Sequence, residues 1–448
     1  MQSNSIDSYN LKCQAQLDKM EELKNKLGEL TKNDPEWLKQ FRAVSFDKFL
    51  NLPVETSEIF KYQNKFQNFR IEEIKLEIGK GKQKPAEIEK NGIIFKPIKK
   101  AIEENENLVK NLILKLGNED KFEAFNNAFF SFGNFLYIPK NTRLTDPIRL
   151  INIVNSESLF NKTIVFVDSN SKLKIVKEDY SNNYTADNSK TIYSDSVEIF
   201  VKDNSELEFS SVQNLNQNTI HFTNKTAFLN KDSKIVWNIG YFGGKKIRSR
   251  VNSFLMDEGS SAEDIEFIFG NKEQQFDTYS TLNHIGRTTT GRVILKSILK
   301  DNCESVFKGM IKIEEKAKNS NSYLAEHGML LSKSSKANAI PALEIKTNEV
   351  KATHAASIAQ IDDELIFYLM TRGLSEDQAK KMIALGFFEP LIQAISFDEV
   401  RAKILHLLEL KWIGEEDNFI KSFYKAYETY KSNKKAPIDI FEGHYKYR

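Results

Sequence analysis

Val165–Val176, VFVDSNSKLKIV, runs from an apolar strand end through an acidic turn residue, Asp168, and the small polar residues Ser169-Asn170-Ser171 into a second strand, LKIV. Asp, Asn and Ser are the residues that end short strands and shape their turns. The same order returns further along. Asp203-Asn204-Ser205 leads into ELEF, Asp232-Ser233 into KIVW, and Glu258-Gly259-Ser260-Ser261 precedes IEFIF. A period of two, rich in Val, Ile and Phe, persists for about 200 residues beyond Tyr137. The intervals between turns are uneven, so no strict repeat is defined. Many short strands with similar turns suit a sandwich, a barrel or a solenoid, and alternation alone does not choose among them. In a solenoid, stacked coils would pair their backbone amides and bury the inward Val, Ile and Phe, leaving ends that need caps.

On either side the period becomes helical. Leu11, Leu17, Met20, Leu23, Leu27 and Leu30 recur near helical spacing from about Ser8 to Leu30, with Gly28 weakening the last turn. Further helical pattern covers Ala101 to Leu116, and Phe122, Phe125 and Phe129 share one face of a helix over Phe122 to Phe129. Past the strands, Ile361, Leu365, Tyr368 and Leu369 mark one helical face that Gly373 ends. Ser375 and Gln378 form a capping box, with Glu376 and Asp377 in the first turn, Met382 and Ile383 facing inward, and Gly386 as the expected stop. A second box, Ser396 with Glu399, predicts a helix through Ile404 and Leu408, and Phe419, Phe423 and Tyr427 predict a last one.

Composition narrows the function classes. With 448 residues, 40% hydrophobic and 28% charged, the chain can bury a sizeable core. Lys and Arg total 64 against 62 Asp and Glu, which provides no basic field for nucleic acid or an anionic membrane. Cys13 and Cys303 are the only cysteines and form no CxxC, so neither a disulfide framework nor a local four-ligand zinc site is expected. A reducing cytoplasm fits. The opening MQSNSIDSYN has no basic segment followed by an apolar one, and no run approaches the roughly 18 apolar residues of a membrane span, so a soluble, unexported protein is expected. Gly-Lys pairs at 79–82 and Gly243-Gly244-Lys245-Lys246 lack the glycine spacing and trailing Ser or Thr of a phosphate-binding P-loop, so any ATP hydrolysis must come from another chain.

Ala342–Phe387, ALEIKTNEVKATHAASIAQIDDELIFYLMTRGLSEDQAKKMIALGF, closely resembles the C-terminal signature of the SufB/SufD family of iron-sulfur cluster assembly proteins. The likeness is carried by Pro341, Leu343-Glu344-Ile345, His354-Ala355, Ile361-Asp362, Leu365, Phe367-Tyr368, Arg372-Gly373 and the Ser375 helix up to Gly386-Phe387. Leu52-Pro53 with Glu58 and Tyr62 is similar to the same family, as are Phe125-Asn126, Ala128-Phe129, Gly133, Tyr137-Ile138-Pro139 and Pro147-Ile148. Fainter echoes fall at Gln274-Gln275, His284, Val306-Phe307 and Gly309. The resemblance implies a mainly β protein: a right-handed parallel β-helix core (β-solenoid) over 131–357, between an N-terminal α-helical region, 1–130, and a C-terminal one, 358–448. It implies a scaffold that is not itself an enzyme, pairing as SufD does with a SufB paralogue through the cores. It also implies that each C-terminal helical region carries one SufC ABC-type ATPase and that ATP-driven approach of the two SufC subunits distorts the pair.

Within the family the likeness is strongest to SufD. SufB has C-terminal cysteines, one of them just after the Phe-Tyr pair, where this chain has Leu369, and Ala342–Arg448 contains no thiol. Thiolates are the sulfur acceptors and soft ligands of cluster chemistry, so their lack points to a supporting subunit. His354 matches the SufD histidine implicated beside the SufB interface, where a neutral imidazole can bind iron and a neighbouring subunit's cysteine can complete the site. Otherwise His354 packs where core and helices meet. No cofactor is expected to be tightly bound by this chain alone, and iron or an Fe-S cluster would be held transiently at the SufB interface. The SufC-docking candidates are Asp362, Glu364, Phe367, Tyr368, Arg372, Gly373, Glu376 and Lys380, on a segment whose apolar stripe is expected to bury on the core while Glu364, Arg372, Glu376 and Lys380 face out. A plain solvated helix pair is the alternative. Cys303, at a turn in ILKDNCESVF, reads as structural, with sulfur handling as its minor alternative, and Cys13 reads as packing. Histidines 221, 284, 327, 406 and 444 form no i, i+4 pair with His or Cys. Other readings stay open: a SufB-like homodimeric scaffold, a passive solenoid, and a β-solenoid enzyme acting on polysaccharide, which would need paired carboxylates on one coil face and export.

Overall fold

The computed structural model describes residues 2–67, 69–71, 78–79, 82–83, 88–90, 92–115, 119–154, 158–181 and 190–414. Two compact units divide the chain, Met1–Phe388 and Glu389–Arg448. The first is built on a parallel β-solenoid of about eight coils, in which successive strands alternate between two sheets. Sheet 1 runs in parallel from Ile148–Val154 to Lys351–Gln360, and sheet 2 from Phe132–Ile138 to Lys336–Ile345. The chain therefore adopts the mainly β solenoid, with helices at both ends, that the family resemblance implies. Coil length varies, from 26 residues between the register partners Ile220 and Lys246 to 34 between Lys172 and Glu206. That variation is why the turns recur unevenly in the sequence.

The acidic-turn motif forms one corner of each coil. Asn141, Asn170, Asn204, Asp232, Gly259, Thr288 and Asn319 all take φ between 52° and 74° there. Asn and Asp tolerate this left-handed conformation because their short side chains can hydrogen-bond locally. Each of these N–H groups donates to a carbonyl of the next coil, at 2.7–3.1 Å. A Cβ on Gly259 would stand 2.1 Å from Asp232 Oδ1, so any other residue at this corner would have to displace the Asp232 carboxylate. Just after all but the first of these corners the small hydroxyl residues Ser171, Ser205, Ser233, Ser260, Thr289 and Ser320 are buried. Their hydroxyls satisfy local carbonyls, as when Ser233 donates to Asn230 O at 2.7 Å and Ser260 to Asp257 O at 2.7 Å.

Inside the coils, Val165, Ile199, Phe209, Trp237, Ile268 and Leu295 belong to one continuous apolar core. The outer face of sheet 2 is covered from the N-terminal side by α1 (Gln2–Leu30), α2 (Glu36–Asn51), α3 (Ile98–Glu104), α4 (Glu106–Ile113) and α5 (Lys121–Phe129). Asp120 caps α5 through the N–H groups of Phe122 and Glu123. The expected aromatic face is buried: Phe125 stacks on Phe49 at 4.3 Å and Phe122 on Phe222 at 4.1 Å. In α1 the described buried residues are Lys19, Leu23 and Leu27, whereas Leu17 is exposed. The side chains of Leu11 and Cys13 lie outside the described residues.

The chain at 52–66 crosses sheet 2 as a strap fixed by buried charges. Glu55 accepts from Arg250 and Lys308 at 2.9 Å each, and both cations also meet Asp277, at 3.0 and 2.8 Å. Lys65 reaches Glu304 at 2.7 Å, Phe60 packs edge-on against Tyr279, and Arg248 meets Asp120 at 2.5 Å. Burial pushes the Asp120 carboxyl up, but Arg248 outweighs this and holds it at about 2.

On the other side, α6 (Asp363–Thr371) and the first part of α7 (Glu376–Ala394) pack on the outer face of sheet 1. Ile361, Ile366 and Ala379 cluster with Met329 and Leu331, and Phe388 meets Phe267 edge-on at 5.8 Å. Three helix expectations need correction. The buried side of α6 is Ile366 and Leu369, so Leu365 and Tyr368 face out; Met382 of α7 is also exposed. α7 does not stop at Gly386, which has no left-handed φ, but continues through Pro390. Burial of Ala384, Phe388 and Leu391 outweighs the roughly 1 kcal/mol penalty of a mid-helix glycine. α8 (Asp398–Ile413) has Phe397 at its cap position, not Ser396, and closes at Gly414 with φ 79°. The helix expected around Phe419, Phe423 and Tyr427 lies outside the described residues. Among the described residues no helix is long and apolar enough to cross a membrane.

Candidate functional site: the open end of the solenoid

Lys336–Ile345 and Lys351–Gln360 form the last coil. Among the described residues each pairs with a strand on one side only, and every residue of both is at least partly exposed. Register fixes which side chains look inward, because parallel partners share a face. In the coil beneath, Leu324 and Glu326 are fully buried, and a Cβ on Gly309 of the opposite sheet would meet Leu324 at 2.4 Å. A Cβ on Gly328 would likewise approach Ile358 at 3.3 Å. The inward residues of the last coil are therefore Ala352, His354, Ala356 and Ile358 in sheet 1, partners of Ser322, Leu324, Glu326 and Gly328. In sheet 2 they are Ala337, Ala339, Pro341 and Leu343, partners of Ser305, Phe307, Gly309 and Ile311. His354 is the one ionisable side chain on this inward face. It is exposed, and among the described residues no further coil covers it.

Directly under this mouth, Glu326 is the one ionisable inward residue of its coil. Neither of its carboxylate oxygens has a hydrogen-bond partner. Burial pushes its carboxyl well above the usual carboxylate range, and Glu266 adds to the push. Deeper inside, Asp264 and Glu266 are also pushed up by burial, and Ser280 donates to Glu266. Lys225 is lowered to about 8 by burial, against the pull of Asp195. His221 stacks on Tyr193 at 5.0 Å with no partner on either nitrogen, and burial lowers it to about 3. His284 is a satisfied core histidine: Nδ1 lies 2.7 Å from Thr289 Oγ1, Nε2 lies 3.0 Å from Ser322 Oγ, and burial lowers it to about 4. Among the described residues, no group of three or more His, Cys, Asp and Glu side chains is placed to hold a metal ion. A complete ligand set at the mouth therefore needs donors beyond the described side chains.

The structure separates the other sequence candidates. Cys303 is fully buried in the solenoid core, and its Sγ would stand 2.2 Å from a Cβ on Gly270, so it fills space that this glycine leaves. Asp362 caps α6 through the N–H groups of Glu364 and Leu365, at 2.9 and 3.3 Å. Gly373, at φ 94°, ends that helix in a left-handed turn. The Ser375–Gln378 capping box forms as expected, at 2.8 and 3.3 Å. Glu364, Arg372 and Glu376 are exposed; Arg372 donates to Tyr368 Oη at 3.2 Å, and the partly exposed Lys380 pairs with Glu376 at 2.5 Å. Phe367 is 69% exposed, and with Leu365, Tyr368 and Met370 it makes an apolar band on the outer side of α6. None of these residues joins His354 at the mouth. Glu326 was missed from sequence, although its even spacing from Leu324 places an acid on a strand's core face, which is a readable anomaly.

Residues 150–387 match the family model described as SUF system FeS cluster assembly, SufBD core domain. The chain belongs to the SufBD family. An iron-sulfur cluster assembly SufBD family protein of Staphylococcus aureus (strain USA300) is 28% identical over 410 residues, covering 82% of this chain and 88% of that protein. A SufBD family protein of Staphylococcus haemolyticus is 29% identical over 316 residues, covering 70% of this chain and 67% of its own. The SufBD core match spans most of the solenoid, including the last coil, together with α6 and the start of α7.

Proposed function

We propose that this SufBD family member is a SufD-type scaffold subunit, without catalysis of its own, acting in the cytoplasm. Its open last coil pairs with the core of a SufB-type paralogue. Iron or a nascent Fe-S cluster, as cargo, is held transiently where the two meet, with His354 from this chain and thiolates from the partner. A SufC-type ATPase docks on the α6–α7 hairpin, where Phe367, Tyr368 and Met370 are exposed beside Glu364, Arg372 and Glu376.

The observation that carries this reading is the composition of the last coil. Its inward face offers one soft nitrogen donor among alanines, Pro341, Leu343 and Ile358, and no thiol lies between Ala342 and Arg448. A site so poor in thiolate can support a cluster but cannot build one alone. Co-expression with SufB-type and SufC-type proteins tests it. His354→Ala should lower the iron and sulfide content of the purified complex several-fold while the three chains still co-purify. Failure of the complex to assemble would instead make His354 a structural residue.

A further inference from the structure

Glu326 is the buried group that the reading above leaves unused. It is inaccessible to solvent, yet neither carboxylate oxygen finds a donor, and a buried polar group without a partner is rare in folded proteins. Leu or Gln would fit the same inward position without an unmet charge. What lies above it is small: Ala356 sits directly over Glu326 in the last coil, and Ala339 and Pro341 line the facing strand. His354 is two residues along from Ala356 on the same face. Strand spacing and rise put its Cα about 8 Å from that of Glu326. Both side chains point to the axis of the coil, one at the mouth and one immediately below.

We propose that Glu326 is a second, inner donor to the divalent iron that His354 receives. This inference rests on the reading of His354 above. A cation entering through the open coil takes an imidazole nitrogen of His354 and a carboxylate oxygen of Glu326, and its remaining positions are filled by water or by a partner chain. A proton leaves Glu326 for solvent as the metal binds, as for any carboxylic acid that becomes a ligand. Mixed nitrogen and oxygen donors suit ferrous iron.

Cobalt(II), a spectroscopic stand-in for ferrous iron, can be titrated into the full chain as wild type, Glu326→Gln, His354→Ala and the double variant. The expected result is a saturable visible absorption band for wild type. Each single substitution should weaken binding by about tenfold or more, and the double variant should lose little beyond the weaker single, as for two donors to one ion. Loss with His354→Ala but not with Glu326→Gln overturns the role of Glu326 and leaves that of His354 standing. No saturable binding by wild type, or no loss with either substitution, overturns both. The thermal midpoints of Glu326→Gln and Glu326→Leu supply a readout independent of metal. Both should equal or exceed wild type, because an unpartnered acid is removed, and a fall in both would make the carboxylate structural.

Discussion

The two ends of the solenoid meet their surroundings in opposite ways. At the N-terminal end, Ile93–Pro97 pairs antiparallel with Phe132–Ile138 and carries Ile88–Lys90 in turn, while Lys82–Gln83 closes on Ile148–Val154. Reversal of direction ends the parallel stack, and five helices bury an aromatic layer beside it. At the C-terminal end both strands stop the stack in mid-pattern, with edges that no described strand pairs and with exposed Ile345 and Ile358. A bare parallel edge templates association with another chain, and natural proteins blunt such edges unless they are used. One end is therefore built for stability and the other for contact, and substitutions at the two should have separable effects.

The largest effect is expected at the sealed side. Phe125→Ala removes a ring that stacks on Phe49 and meets Phe129 and Phe160 edge-on, and should cost roughly 3–5 kcal/mol in urea unfolding. Arg250→Ala should cost about 3 kcal/mol, because Glu55 and Asp277 would lose the guanidinium they share in a buried site and keep Lys308 as their direct ion-pair partner; faster proteolytic cleavage within 52–66 would report release of the strap. An unchanged denaturation midpoint for either would break the contrast between the ends. Acid should act next. His284 is lowered from 6.5 to about 4, so its neutral form contributes stability that is complete above pH 6.5 and is lost as pH falls toward 4, on the order of 3 kcal/mol. Unfolding free energies measured across that range should fall less steeply for His284→Asn. The smallest effect on the fold belongs to the open end: Ile358→Lys should shift stability by about 0.5 kcal/mol or less, yet abolish co-purification with a SufB-type partner. A large loss of stability would mean that the last coil is part of the core.

Local chemistry was legible in the sequence, and long-range pairing was not. Asp168-Ser169-Asn170-Ser171 announced a turn, and the structure adds that Asn170 takes a left-handed φ of 61° and Ser171 a buried hydroxyl position. Choosing a solenoid over a sandwich required knowing that Lys234 pairs with Ser261, which periodicity cannot encode. The family resemblance supplied that choice. The Ser375–Gln378 box was readable because it closes over three residues, while the strap was not, because Glu55 meets Arg250 across 195 positions. The buried side of α6 was misjudged by one position, since Leu365 and Ile366 are equally apolar and only packing against Met329 and Leu331 separates them. At the site, His354 came from resemblance alone, and its inward aim only from register with Leu324.

The left-handed corners also make the solenoid's length come in steps. Along this row of corners each coil contributes one such residue and a rise of about 4.8 Å, so excising the chain from one corner to the next would rejoin like with like and shorten the solenoid by one coil. The strap restricts where that is possible. It spans the strands that carry Arg248, Asp277 and Lys308, and a unit removed between them would slide Glu55 past its cations. Growth or loss of coils by duplication and deletion is thus confined to the stretches on either side, and the distance from the helical layer to the mouth is set by the reach of fewer than twenty residues crossing the outside.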